Sequence, residues 1–178
     1  MPQDWNYGGD HSITFGAGTF SVNGKLQGKN TWNDWYLIPD RRPDVTEASF
    51  ETKMVEIPGR PGSLDNSEWI LGRPVYRPRS GSWDFIVDNS RPDWITLRDQ
   101  IISFLHGKRM KCVLEDDPNY YYEGRFQVQW KSGETNSAVS IGYSLTPYKK
   151  HWNPTGDWLW DPFCFETDRT DQAVTQKL

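Results

Sequence analysis

Residues 90–128 read as one continuous supersecondary unit, and this unit limits the fold more than any other stretch. Ser90 suits an N-cap, Asp93 three residues on completes a capping-box-like pair, and Pro92 is tolerated in a first turn. Trp94, Leu97, Ile101, Phe104 and Leu105 fall on one helical stripe. Gly107 stops the helix, with His106 in its last turn and Lys108 and Arg109 just beyond, a charge placement that suits the helix dipole. Residues 111–114 then read as a strand, Glu115-Asp116-Asp117-Pro118-Asn119 as a turn and 120–128 as the returning strand. The unit contains little that could do chemistry and is suited to presenting a surface.

The rest of the chain is strand and loop. Ser12-Ile13-Thr14-Phe15 is a short strand, and Thr19-Phe20-Ser21-Val22 resumes the alternation after Gly16 and Gly18. Asn23-Gly24 is a hairpin turn signal. The aromatic segment Asn30-Thr31-Trp32-Asn33-Asp34-Trp35-Tyr36-Leu37-Ile38-Pro39 runs into Asp40-Arg41-Arg42-Pro43, which is unsuited to a helix. Residues 50–57 alternate in part. They lead into Pro58-Gly59-Arg60-Pro61-Gly62-Ser63-Leu64-Asp65, where two prolines and two glycines restrict the backbone to a specific turn. Residues 82–87 form a strand with Trp83, Phe85 and Val87 on one face, and 137–145 alternate again through Val139, Ile141 and Tyr143. Residues 1–150 are expected to form one domain. Residues 151–178 form an aromatic extension, expected to order only against a surface, with a polar end over 166–178.

Composition narrows the function classes. The 178 residues suit one core, and 10 Trp, 8 Tyr and 8 Phe are a heavy aromatic load for a chain only 35% hydrophobic. A net charge of -4 leaves no basic footprint for specific nucleic-acid binding, although a wall beside passing DNA needs none. No apolar run is long enough to span a membrane, and residues 1–10 lack the apolar core of a signal peptide. Cys112 and Cys164 give no disulfide framework, so reduced thiols are expected.

Candidates for chemistry are few. Glu115, Asp116 and Asp117 could ligate a metal or act as an acid/base pair, but Asp before Pro118 reads better as a turn. Gly24-Lys25-Leu26-Gln27-Gly28-Lys29-Asn30-Thr31 fails as a phosphate loop, with Asn23 where the first glycine belongs and Asn30 where Ser or Thr must hold Mg²⁺. His11, His106 and His151 are scattered, and Cys112 lies in an apolar strand where inert burial is expected. No catalytic residue, metal ligand or cofactor site is therefore assigned.

A family resemblance runs through these motifs. Residues 30–39 with Arg42-Pro43 resemble the opening of the distal tail (Dit-like) proteins of long, non-contractile-tailed phages. The segment 57–65 is similar to that family's Pro-Gly-x-x-Gly-x-x-Asp loop. Phe104-Leu105-His106-Gly107-Lys108 and the hairpin 115–125 resemble its helix and hairpin. The resemblance implies a mainly β fold with one helix: a tail-tube-like β-sandwich or split barrel with a flanking α-helix and a protruding β-hairpin. It further implies a structural virion protein at the tail tip, assembled in the host cytoplasm, without enzymatic activity. Its partners would be itself, in a homohexameric ring, the tail tube protein, the tape measure protein in the lumen and the tail-tip protein. DNA would be free to pass. Within 178 residues no galectin-like second domain is expected.

The contact surfaces expected from this reading are the loop with Pro58, Gly59, Gly62 and Asp65, the hairpin with Asp116, Asp117, Tyr120, Tyr121 and Tyr122, and the tail with Trp152, Trp158 and Trp160. The alternative is a carbohydrate-binding β-sandwich that stacks its tryptophans on sugars. A weaker option is a small acid/base enzyme using Asp116 and Asp117.

Overall fold

The structure is a computed structural model describing residues 7–59, 61–69, 72, 74–88, 93–133, 136–153 and 176–177. It is mainly antiparallel β, with two helical segments: α1 (Tyr7–Asp10) and α2 (Trp94–Leu105). The strands are β1 (Ile13–Gly16), β2 (Lys29–Asn30), β3 (Ile38–Pro39), β4 (Met54–Glu56), β5 (Ser63–Asp65), β6 (Arg79–Asp88), β7 (Arg109–Leu114), β8 (Tyr120–Lys131), β9 (Asn136–Leu145), β10 (Lys149–His151) and β11 (Gln176–Lys177). The main sheet has the order β2-β1-β7-β8-β9-β6-β3, with β10 continuing beside the start of β8 and β11 outside it. β4 and β5 form a separate two-stranded ribbon.

Strand alternation explains the core. Trp83, Val128 and Ile141 share one register row, and Phe85 and Val139 share the next. All five are buried, whereas Gln127, Gln129 and Lys131 between them face solvent. The sheet also curls. β1 and β6 lie four strand steps apart, about 19 Å if the sheet were flat, yet the rings of Phe15 and Trp83 are 6.1 Å apart. Phe126 fills the space between them, 5.0 Å from Phe15 and 6.4 Å from Trp83. α2 closes this core with Leu97, Ile101 and Leu105, while Phe104 meets Trp35 edge-on and Trp94 stacks on Trp130.

Several expectations need correction. The N-cap of α2 is Asp93, without a side-chain cap bond, and not Ser90; Ser90 and Pro92 lie outside the described residues. Gly107 does sit at φ 73, but its N–H donates to Phe126 O, so the helix end feeds directly into the sheet. The expected strand 19–22 is only a single bridge, Phe20 to Leu26, around a turn with Gly24 at φ 77. The expected strand 50–57 shrinks to β4, because this segment leaves the sheet and has no core beneath it. α1 adds a helical turn that the sequence reading left as loop. The tail aromatics Trp158, Trp160, Phe163 and Phe165, and Cys164, lie outside the described residues.

Candidate functional site

The Asp-Pro turn between β7 and β8 forms one wall of an open cleft of ≈ 510 Å³. Arg42, Pro43, Asp44 and Val45 form another, and Lys149 a third. The turn is fixed by its own backbone: Asp117 N–H donates to Leu114 O and Tyr120 N–H to Asp117 O. Asp116 lies between two elements remote in sequence. Its carboxylate accepts from Arg42 Nε at 2.9 Å and meets His11 Nδ1 at 3.1 Å. The Arg42 hydrogen bond holds the Asp116 carboxyl below the usual carboxylate range, and His11 adds to this against the opposing effect of burial. Asp117 pairs instead with Lys149 Nζ at 2.5 Å.

Each of the three consecutive tyrosines of β8 faces a cation. Lys149 Nζ lies 4.7 Å from the Tyr120 ring, Lys111 Nζ 5.5 Å from Tyr121 and the Arg79 guanidinium 5.6 Å from Tyr122. Strand alternation sends Tyr120 and Tyr122 to the cleft and Tyr121 to the opposite face, against Phe20. Burial pushes the phenol pKa of both Tyr121 and Tyr122 upward. Arg79 is buried and donates to Pro147 O at 2.8 Å and Thr46 O at 3.0 Å. Trp152 stacks near Phe20, with rings 6.4 Å apart, and covers Gly24.

The expected contact residues therefore divide. Asp116, Asp117, Tyr120 and Tyr122 share the cleft; Tyr121 and Trp152 share the patch around Phe20. Pro58, Gly59, Gly62 and Asp65 stand apart and exposed on the β4–β5 ribbon, with Gly59 at φ 84 and Gly62 at φ 90. Arg42 was quoted only within the family-like motif and given no role, and Arg79 and Lys149 were not singled out from the sequence. Each lies more than 25 residues from the turn or strand it serves, and no local pattern marks it.

The arrangement offers little to catalysis. Asp116 and Asp117 are held by different cations, and a lowered carboxyl pKa is the wrong direction for a general acid near neutrality. Among the described residues, no three His, Cys, Asp or Glu converge on a metal position. Burial pushes the Cys112 thiol far up, away from a reactive thiolate. The described tryptophans are mostly turned inward: Trp35 and Trp83 are buried and Trp32, Trp94, Trp130 and Trp152 half-buried, while Trp69 is exposed. No helix among the described residues is long and apolar enough to cross a membrane.

No protein-family model matches the chain, and no curated protein matches it. Among solved structures the chain is similar to the Dit protein (gp 19.1) of SPP1, described as a paradigm of hub adsorption apparatus in phages that infect Gram-positive bacteria. The two share 18% identity and a TM-score of 0.53 over 78% of this chain and 52% of the other. The chain thus spans about half the length of that protein, and the likeness is one of fold.

Proposed function

We propose that this chain is a structural component of a phage tail, a distal tail hub whose subunits form a hexameric ring. The ring joins the tail tube to the tail-tip and receptor-binding apparatus, with the tape measure protein in its lumen. The observation that carries this reading is the likeness of fold to the SPP1 hub protein over 78% of the chain. The motifs 30–39, 57–65, 104–108 and 115–125 resemble the same family and follow one another in its order.

The surfaces suit the role. A closed ring needs two different complementary patches on each subunit. The exposed β4–β5 ribbon lies apart from the ion-paired cleft around the Asp-Pro turn, so the chain offers more than one kind of contact. Negative-stain imaging of the purified chain, with a parallel glycan-binding screen, tests the reading. Six-fold rings that ignore glycans support it; monomers that bind glycans overturn it in favour of a carbohydrate-binding module.

A further inference from the structure

The segment that carries β4 and β5 leaves the body through a narrow neck. Glu51 N–H donates to Val75 O and Arg77 N–H to Ser49 O, and beyond them, among the described residues, β4 and β5 pair only with each other. Two strands of three residues are marginal alone. This ribbon nevertheless exposes Met54, Val55, Ile57 and Leu64 by 39–58%. It is the form of an element completed by a partner.

Its two faces differ. The register pairs Val55 with Leu64, Met54 with Asp65 and Glu56 with Ser63. Directly paired residues point the same way, so Met54, Glu56, Ser63 and Asp65 form one face: a flexible apolar side chain flanked by two carboxylates. Among the described residues, neither carboxylate has a cation partner. Asp65 accepts only from Ser67 N–H and Oγ–H.

A complementary surface lies where α2 meets the sheet. Arg109 and Arg125 are directly opposed in the β7–β8 register, a like-charge pair that is unfavourable across strands. Lys108 and His106, both exposed, stand beside them. Among the described residues only Glu123 is near to neutralise them: it is 3.6 Å from Arg109 and is also taken by Lys150 at 3.2 Å. Arg125 is aimed by one bond to Gly107 O at 2.9 Å. Beside Arg125 a depression of ≈ 430 Å³ is lined by His106, Gly107, Gln127 and Ser144 over the bare backbone of Gly142.

The geometry points to a head-to-tail contact in which the acidic ribbon face of one copy docks on the Arg109/Arg125 surface of the next. Glu56 and Asp65 meet the paired guanidiniums, and Met54 enters the depression. The apolar anchor with a charged rim is the usual anatomy of such a contact. The inference rests on the ring reading above and gives it one specific interface.

The test is light scattering on wild type, Glu56→Arg/Asp65→Arg, Arg109→Glu/Arg125→Glu and the variant carrying all four changes. All four side chains are exposed, so circular dichroism and Tm should stay at wild-type values. Each double reversal should raise the concentration needed for half-assembly by tenfold or more, on the order of the penalty for facing like charges. The fourfold variant should recover most of that loss. A wild-type monomer at every concentration would count against the ring itself. A wild-type oligomer unmoved by either reversal would leave the ring standing and overturn this interface. Loss of duplex-DNA binding on Arg109→Glu/Arg125→Glu with unchanged assembly would overturn it too, by assigning the basic surface to nucleic acid.

Discussion

Asn30 shows how the most conspicuous motif works as structure. Its side-chain amide donates to Ser12 Oγ and Thr14 Oγ1 at 3.0 Å each, and its carbonyl accepts from the backbone of Trp32 and Asn33. It fastens the aromatic turn to β1, so Trp35 and Leu37 can enter the core. Gly24 is fixed by a different constraint. At φ 77, a Cβ there would lie 2.5 Å from Trp152 Cε2. Gly24→Ala is expected to cost about 1–3 kcal/mol through left-handed strain and the displaced ring. Thermal unfolding should show the loss, and hydrogen exchange should show faster opening at His151 and Trp152. Asp116 supplies a pH dependence. Its folded pKa is depressed, so its contribution is present above the unfolded carboxyl value of about 3.9 and is lost as pH falls through the lower folded value. Asp116→Asn should destabilise by about 1 kcal/mol near pH 6. The Tm gap to wild type should close as pH falls from about 5 toward 3.

Elements were legible where burial imposes a period. β6 and β9 alternate because one face is core and the other is solvent, and α2 carries its stripe for the same reason. The reading failed where no core enforces the pattern. β4 is shorter than expected because its ribbon is detached, and residues 19–22 meet only the short return segment 25–27, through one bridge and a few backbone hydrogen bonds. The cleft was half legible. Its Asp-Pro turn announced itself, but Arg42 and Lys149 reach it only through the tertiary fold, and the Arg109–Arg125 opposition exists only in the strand register. The ribbon yields a prediction at its own scale. Replacing residues 54–65 with a short Gly-Ser turn removes no side chain that is buried among the described residues, since these lie outside the core. The body should keep its Tm within about 2 °C, by the usual smallness of surface changes, while self-association is lost. A large drop in Tm would mean that the ribbon braces the body.

At the scale of the whole molecule, a curled antiparallel sheet closed by one helix leaves a detached ribbon, a basic helix–sheet junction and a charged cleft at its surface. The described residues group their conspicuous charges in paired or opposed sets. That arrangement suits the assembly role proposed above. The most direct measurement is the solution mass of the purified chain by size-exclusion chromatography with light scattering. Six copies of a 20.7 kDa chain give about 124 kDa, and the account predicts that species at micromolar concentration. A single species near 20.7 kDa at every concentration tested would contradict it.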